Sequence, residues 1–185
     1  MTDPQFFGYG SLVNLQTHNY ANPRPATLKG WKRVWQQSKD RDLAFLSVLP
    51  SAETEIDGII ASVPNGDWAA LDQREHAYDR KDVTEALGQT APTAIYQGQP
   101  AKIAEGAATR PILLSYLDVV VQGFLDQFGH DGVDRFFATT DRWETPILND
   151  RSNPIYPRYI TLHRDEMALV DSQLKRLSAV VKQPM

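Results

Sequence analysis

The chain has 185 residues, 42% of them hydrophobic and 23% charged, values that fit one globular domain able to bury a sizeable core. It has no cysteine, which excludes disulfide scaffolds, thiolate metal centres, iron–sulfur clusters and cysteine nucleophiles. Nineteen basic against 23 acidic residues give a formal net charge of −4, so the broad basic footprint of a general nucleic-acid binder is missing.

The opening residues Met1-Thr2-Asp3-Pro4-Gln5 lack the basic stretch and following apolar run of a signal peptide. No window approaches the roughly 18 apolar residues of a membrane span. A cytoplasmic protein with no membrane partner is expected. The twelve prolines are scattered, and there is neither an internal repeat nor a long linker, so residues 1–185 read as a single domain. Gln5–Phe7 is a short strand running into the turn Gly8-Tyr9-Gly10-Ser11. Thr27–Gln36 reads as a strand interrupted at Gly30, and Leu43–Leu49 as another, closed by Pro50. Glu55–Val63 is a third, ended by the turn Pro64-Asn65-Gly66. Asp67 suits the N-cap of a helix reaching about His76. Lys81–Leu87 and Thr93–Tyr96 are weaker strands separated by Gly88.

The second half is more helical. Pro111 fits the first position of a helix over Ile112–Phe128, ended by Gly129, and Asp131 can cap a shorter one through Phe137. Ile155–Leu162, containing Pro157, reads as a sheet edge. Asp165–Val181 reads as a C-terminal helix, with Met167, Val170, Leu174, Leu177 and Val181 at helical spacing. The fold class expected is α+β: a mixed sheet, or a sheet curled towards a barrel, with flanking helices.

Few residues stand out for chemistry. Gly8-Tyr9-Gly10 lacks the third glycine of a dinucleotide fingerprint. It reads either as a tight turn with positive φ or as a loop whose N–H groups approach an anionic ligand. His18, His76, His130 and His163 stand at no metal-ligand spacing, and Ser11 lacks a nucleophile-elbow context. Glu75 is the most informative residue. On a helix from Asp67, Trp68, Leu71 and Glu75 fall on one stripe, which sets a carboxylate on the face that should be buried. Two readings stay open. In one, Glu75 lies in a frayed last turn, solvated or paired with Arg74 or Arg80. In the other it is held in a cleft with a raised pKa suited to acid–base work, and Tyr78 shares the wall.

These residues resemble a known family. Phe7-Gly8-Tyr9-Gly10-Ser11-Leu12 after a first strand is similar to the signature of the γ-glutamylcyclotransferase-like superfamily. Leu71-Asp72-Gln73-Arg74-Glu75, then Tyr78 and Val83, resembles the family's stretch around its catalytic glutamate, and Arg74 before that Glu is similar to the ChaC-like branch. Asp57-Gly58-Ile59-Ile60-Ala61 fits the strand preceding it, so the likeness spans residues 6–97. The resemblance implies a mixed β-barrel or sheet with flanking helices and a pocket at one end. It implies conversion of a γ-glutamyl compound to 5-oxoproline by intramolecular aminolysis, without metal or organic cofactor. Glu75 would be the general acid/base. Tyr9, Gly10, Ser11 and Leu12 would hold the substrate through backbone N–H groups, with Tyr78 beside them. The partner would be a small γ-glutamyl molecule: glutathione, a γ-glutamyl dipeptide or a γ-glutamylamine. Tyr96, Tyr116, Trp143 and Tyr156 are aromatic candidates for the leaving-group side.

Other readings compete with it. A γ-glutamyl amide hydrolase would use water as acceptor, and a non-catalytic protein of the same fold would only bind a small metabolite. An interaction protein, or a homodimer, would use the Met167-to-Val181 stripe, although such stripes are more often core. An RNA-binding role ranks last, since the C-terminal arginines are interspersed with acids.

Overall fold

In the computed structural model, which describes residues 3–107 and 109–184, the chain is organised around one long hairpin. A short strand, β1 (Gln5–Gly8), precedes it. The hairpin strands are β2 (Ala21–Gln37) and β3 (Ala44–Ser62). The two strands expected at Leu43–Leu49 and Glu55–Val63 are thus one strand that passes through Pro50. The reason is a bulge: pairing jumps from Lys29–Glu55 to Trp31–Pro50. Gly30 opposite it takes φ +83°, which glycine adopts without a Cβ clash. β2 also begins at Ala21, six residues before the expected Thr27. Its added stretch, with Pro23 and Pro25, lies beyond the part of β2 that β7 (Thr140–Asp141) pairs with, at the sheet's edge, where proline is tolerated.

The six-stranded sheet has the order β4-β5-β1-β3-β2-β7, with β4 at Tyr78–Asp82 and β5 at Thr93–Gly98. β1 runs antiparallel to β3 and parallel to β5. The expected strand at Lys81–Leu87 is displaced to β4. From Val83 the chain turns instead, with the Leu87 N–H donating to the Val83 carbonyl at 3.0 Å. The bulge bends the outer half of the hairpin back towards β5. The gap there is bridged by the Gly98 N–H to Ser47 Oγ at 2.9 Å and by Gln97 Nε2 to the Val48 carbonyl at 3.2 Å. The sheet therefore curls towards a barrel through side-chain bonds.

Among the described residues three helices flank it: α1 (Ala69–Arg74), α2 (Leu114–Ala138) and α3 (Arg164–Arg176). α2 bends at Gly129 (φ +67°) and resumes ahead of Asp131, which therefore does not cap it. Nor does Pro111 open it, because β6 (Ile112–Leu113) pairs in parallel with β8 (Ile147–Leu148). The helix is capped from a distance: Asp150 Oδ1 accepts from the Ser115 N–H at 2.8 Å, and Asp150 Oδ2 from Ser115 Oγ at 2.6 Å. The same carboxylate accepts from the Ile155 N–H at 2.9 Å. That bond and Pro154 and Pro157 make Ile155–Leu162 an irregular strap, not the expected sheet edge.

α3 stops at Arg176 and not near Val181. Ser178 turns the chain at φ +53°, and Val181–Lys182 forms β9, parallel to β8. Val170 and Leu174 of the expected stripe are buried in the core, while Leu177 and Val181 are exposed. Among the described residues no helix is long and apolar enough to cross a membrane.

Arg33 lies fully buried in the middle of this architecture. Its Nε donates to the Tyr9 carbonyl at 2.8 Å, Nη1 to Thr139 Oγ1 at 2.9 Å and Nη2 to the Asp57 carbonyl. Its guanidinium lies 4.8 Å from the Phe124 ring centre and 5.2 Å from that of Phe136. Burial draws its pKa down to about 9, against the opposing pull of Asp57, so it is still a cation at neutral pH. Arg33→Met keeps the volume but leaves three acceptors without a donor. At about 1–3 kcal/mol for an orphaned buried group, we expect a loss of roughly 3 kcal/mol or more in urea unfolding, not restored by Arg33→Lys, which lacks the planar fork. A loss below about 1 kcal/mol would show that water satisfies those carbonyls.

Candidate active site

The site begins where β1 ends. Gly8 through Thr17 form a loop containing two 3-10 turns, Ser11–Val13 and Leu15–Thr17. Glycine is required here for space. A Cβ on Gly8 would fall 2.6 Å from Leu12 Cβ, and one on Gly10 would fall 2.8 Å from the Tyr116 hydroxyl. Gly10 itself has φ −128°, so the positive-φ reading of this turn is not what the structure shows.

The loop is braced from three directions. From the core, Arg33 holds the Tyr9 carbonyl. Because N–H and C=O point oppositely in a planar trans peptide, that bond also turns the Gly10 N–H away from the guanidinium. From α2, Asn14 Nδ2 donates to the Val119 carbonyl at 2.9 Å and to Gln122 Oε1 at 3.1 Å. From α1, Arg74 Nη2 donates to Ser11 Oγ at 3.1 Å and Nη1 to the Thr17 carbonyl at 3.1 Å. His18 closes the loop, its Nε2 bonded to the Leu12 carbonyl at 2.9 Å and its Nδ1 accepting from the Tyr20 N–H.

Glu75 follows directly after α1 as its C-cap residue, its N–H bonded to the Leu71 carbonyl at 2.9 Å. Asp67 still serves the other end, accepting from the Ala69 N–H at 3.0 Å. The Glu75 side chain is only 15% exposed. Its Oε1 lies 3.3 Å from Arg74 Nε, while Arg80 turns instead to Asp72, at 3.2 Å, and to the Trp68 ring. Elements of both sequence readings therefore coexist: the carboxylate is buried, and it is paired with Arg74. Burial outweighs the pull of Arg74 and Arg158 and raises the Glu75 pKa above the ordinary glutamate value.

Tyr9, Gly10, Ser11, Leu12, Glu75 and Tyr78, singled out from sequence, line one small inner pocket. Tyr96 and Tyr116 complete it. The Tyr9 hydroxyl donates to the Tyr96 carbonyl at 2.6 Å, Tyr78 to the Leu46 carbonyl at 2.8 Å, and Tyr96 to Asp72 Oδ1 at 2.6 Å. Burial first, and the nearby Glu75 carboxylate among the charges, push the pKa values of Tyr9 and Tyr116 upward, so both are neutral phenols. Tyr116 is the one of these four whose hydroxyl has no acceptor among the described residues.

Ser11, Leu46, Glu75, Tyr78 and Tyr116 also line a wider cleft of about 780 Å³, so Glu75 stands where the pocket opens into it. A volume of this order suits a small-molecule site. Its outer wall includes Arg41, His76, Tyr156 and Arg158. Tyr156 packs edge-on to Tyr116 at 5.0 Å. Trp143 does not take part. It stacks on Phe137 at 4.9 Å and meets Trp35 edge-on. Arg33 and Arg74 were not singled out as site supports from sequence. For Arg33 a signal existed: in a strand of period 2, Trp31, Arg33 and Trp35 share a face. For Arg158 there was none. Among the described residues no cluster of three or more His, Asp or Glu side chains could hold a metal ion.

Residues 6–112 match the family described as gamma-glutamyl cyclotransferase, AIG2-like. No curated protein matches the chain. Among solved structures, one named gamma-glutamyl cyclotransferase superposes with a TM-score of 0.58 at 13% identity, over 92% of this chain and 99% of that one. YkqA from Bacillus subtilis gives 0.57 at 20% identity, over 73% of this chain and 53% of its own. An uncharacterized protein from Homo sapiens gives 0.55 at 12%, over 92% and 99%. At these identities the likeness is one of fold.

The raised pKa of Glu75 has a consequence for stability. The neutral carboxyl suits the fold better than the ion. The stability it contributes is full below the unfolded value of about 4.3 and is lost as pH rises through the higher folded value. Glu75→Gln is neutral throughout. Its Tm relative to wild type should therefore increase from about pH 4 to about pH 8. A difference that stays flat or shrinks over that range would show that the Arg74 pair, not burial, governs the carboxyl.

Proposed function

The chain belongs to the gamma-glutamyl cyclotransferase, AIG2-like family, and from that premise we propose that it cleaves a small γ-glutamyl compound to 5-oxoproline and a free amine, with Glu75 as general acid and base. The observation that supports this reading most is the position of Glu75. It is a buried carboxylate with a raised pKa at the junction between a glycine-lined inner pocket and an open cleft.

The γ-glutamyl group would occupy the inner pocket and the rest of the substrate the cleft. The substrate's α-ammonium must first lose a proton, and the Glu75 carboxylate takes it. The freed lone pair forms a bond to the γ-carbonyl carbon, and negative charge develops on the carbonyl oxygen. Protonated Glu75 then donates to the departing nitrogen as the original amide bond breaks. The ring nitrogen ends with one hydrogen, and the protons it has lost are carried off by the released amine. Nucleophile and electrophile belong to one molecule, so the main requirement is a shape that folds the γ-glutamyl chain upon itself. The three braces on the Gly8–Thr17 loop meet it, because they stop the pocket wall from yielding. Backbone N–H groups between Tyr9 and Leu12 would bind the substrate carboxylate or the developing oxyanion, and the Tyr116 hydroxyl is a further donor within the same pocket.

A raised pKa makes the carboxylate a stronger base towards the ammonium, and it leaves more of the carboxyl protonated at a given pH for delivery to the departing amine. Purified wild type should release 5-oxoproline from at least one member of a panel of glutathione, γ-glutamyl dipeptides and γ-glutamylamines. Its kcat/KM should fall on an acid limb lying above the usual glutamate value. Glu75→Gln should fold and lose at least about 10²–10³ in turnover, the scale of a lost acid–base group. Release of free glutamate in place of 5-oxoproline would make the protein an amide hydrolase. Binding without either product would make it a metabolite-binding protein.

A further inference from the structure

We infer that Arg158, with Arg41, forms an anion subsite in the cleft outside Glu75, which selects γ-glutamyl substrates whose departing amine carries a carboxylate. This rests on the cyclotransferase reading of the Glu75 pocket and extends it to the other half of the substrate. If the scissile bond lies at Glu75, the departing group must extend into the cleft, since the two cavities share Glu75, Tyr78 and Tyr116.

The cleft's charge is opposite to that of the chain. The protein as a whole is at −4, yet the titratable groups along the cleft are Arg41, Arg74, His76 and Arg158 against Glu75, beside the phenols of Tyr78, Tyr116 and Tyr156. Arg74 is committed to Glu75, Ser11 and Thr17. Arg41 donates to His76 Nε2 at 3.3 Å and has no carboxylate partner among the described residues. Arg158 has neither an ion pair nor a side-chain hydrogen bond among them. It is nonetheless not on a loose loop. Its strap is fastened by Asp150 to Ser115 and to the Ile155 N–H, and by Tyr156 against Tyr116. Next to Asp150, Arg151 binds Asp118 at 2.7 Å and Asp171 at 2.7 Å, which ties the start of the strap to α2 and α3.

Two guanidinium groups that line the cleft without a carboxylate ion pair among the described residues suit a bound carboxylate, which each can grip bidentately. A departing amine that carried a second ammonium would meet repulsion from both. The side walls at Leu43, Phe45 and Ile155 accept an alkyl body between the amide and its charge. Arg158 lies beyond the stretch 6–112 that matches the family, whereas Arg41 lies within it, so the subsite joins the chain's C-terminal part to the matched part.

Binding can be read without turnover by calorimetry on Glu75→Gln. The ligands are γ-glutamylalanine, γ-glutamylalaninamide and γ-glutamyl-1,5-diaminopentane, whose departing parts are anionic, neutral and cationic. The anionic ligand should bind about tenfold more tightly than the neutral one at low salt, a single guanidinium–carboxylate contact being of that order. The cationic ligand should bind weakest, and the differences should shrink in about 0.5 M salt. Adding Arg158→Gln should remove most of the anion preference while leaving the neutral ligand unchanged, and Arg158→Lys should keep part of it. Arg41→Gln should act in the same direction. Equal affinities for the three ligands, no binding of any, or equal weakening of all by Arg158→Gln would overturn the subsite. Wild-type 5-oxoproline release from the same ligands reports on the chemistry separately. Turnover without charge preference removes the subsite and keeps the cyclotransferase, whereas charge-selective binding without 5-oxoproline keeps the subsite and removes the reaction.

Discussion

One buried cation fixes the relation between the sheet, the long helix and the pocket. Arg33 on β2 reaches the Tyr9 carbonyl at the end of β1, the Asp57 carbonyl on β3 and the Thr139 hydroxyl just past α2. A guanidinium can serve three acceptors at once because its donors are splayed in a rigid plane. The Asp57 carboxylate acts on its charge from a distance and is itself held by Arg135 at 2.6 Å and by Thr27 at 2.9 Å. An apolar residue would fill the volume between Phe124 and Phe136, yet it would leave the Tyr9–Gly10 peptide free to flip. The orientation of that peptide sets the direction of the Gly10 N–H. The geometry of the pocket floor therefore depends on a residue that does not line it.

The carboxylate and the loop facing it are not independent parts. Arg74 holds both, with its Nε on Glu75 and its terminal nitrogens on Ser11 and Thr17. A residue serving only as counter-ion would hold Glu75 ionised and lower its pKa. Arg74 spreads its donors over the loop as well, and its attraction does not offset the loss of water around Glu75. The position after α1 acts in the same direction, because the carbonyl end of a helix is an unfavourable place for negative charge. A short helix is sufficient for this, since its task is to deliver Leu71 to the core and Glu75 to the pocket.

The parts of this arrangement legible in the sequence are those where local pattern and burial coincide. β1 and its glycines, the stripe of Leu71 and Glu75, and the break at Gly129 each follow from rules acting within about ten residues. The failures are long-range. Leu43–Leu49 and Glu55–Val63 look like two strands because Pro50 is a local stop signal. Only the bulge opposite Gly30 on another strand allows the chain to continue through it. Ile112 and Leu113 carry a helical pattern but are claimed by Ile147 and Leu148, thirty-five residues away. α3 ends early because Val180 and Val181 are drawn to β8. In each case a pairing partner far along the chain outweighs a local propensity of a few tenths of a kcal/mol.

The same division runs through the site. The inner pocket is assembled from residues 7–12 with Glu75 and Tyr78, whose motifs are compact enough to be read directly, and from single side chains of β3, β5 and α2. The cleft outside it is assembled from the hairpin turn at Ser38–Leu43, the end of α1, the start of α2 and the strap after Asp150. No one of these segments has a pattern that points to a ligand, and the strap has no regular secondary structure at all. Its shape is set by one carboxylate that caps α2 and fastens the strap at the same time. Residues in the inner pocket are constrained jointly by packing, by the loop braces and by the buried charge, so few alternatives satisfy all three. A strap held at Asp150 and Tyr156 leaves Arg158 and Ile155 exposed, where substitution costs the fold little. On physical grounds the cleft can change its charge at little cost to the fold, while Glu75, which feels the pull of Arg158, would respond to the loss of that charge by a further rise in its pKa.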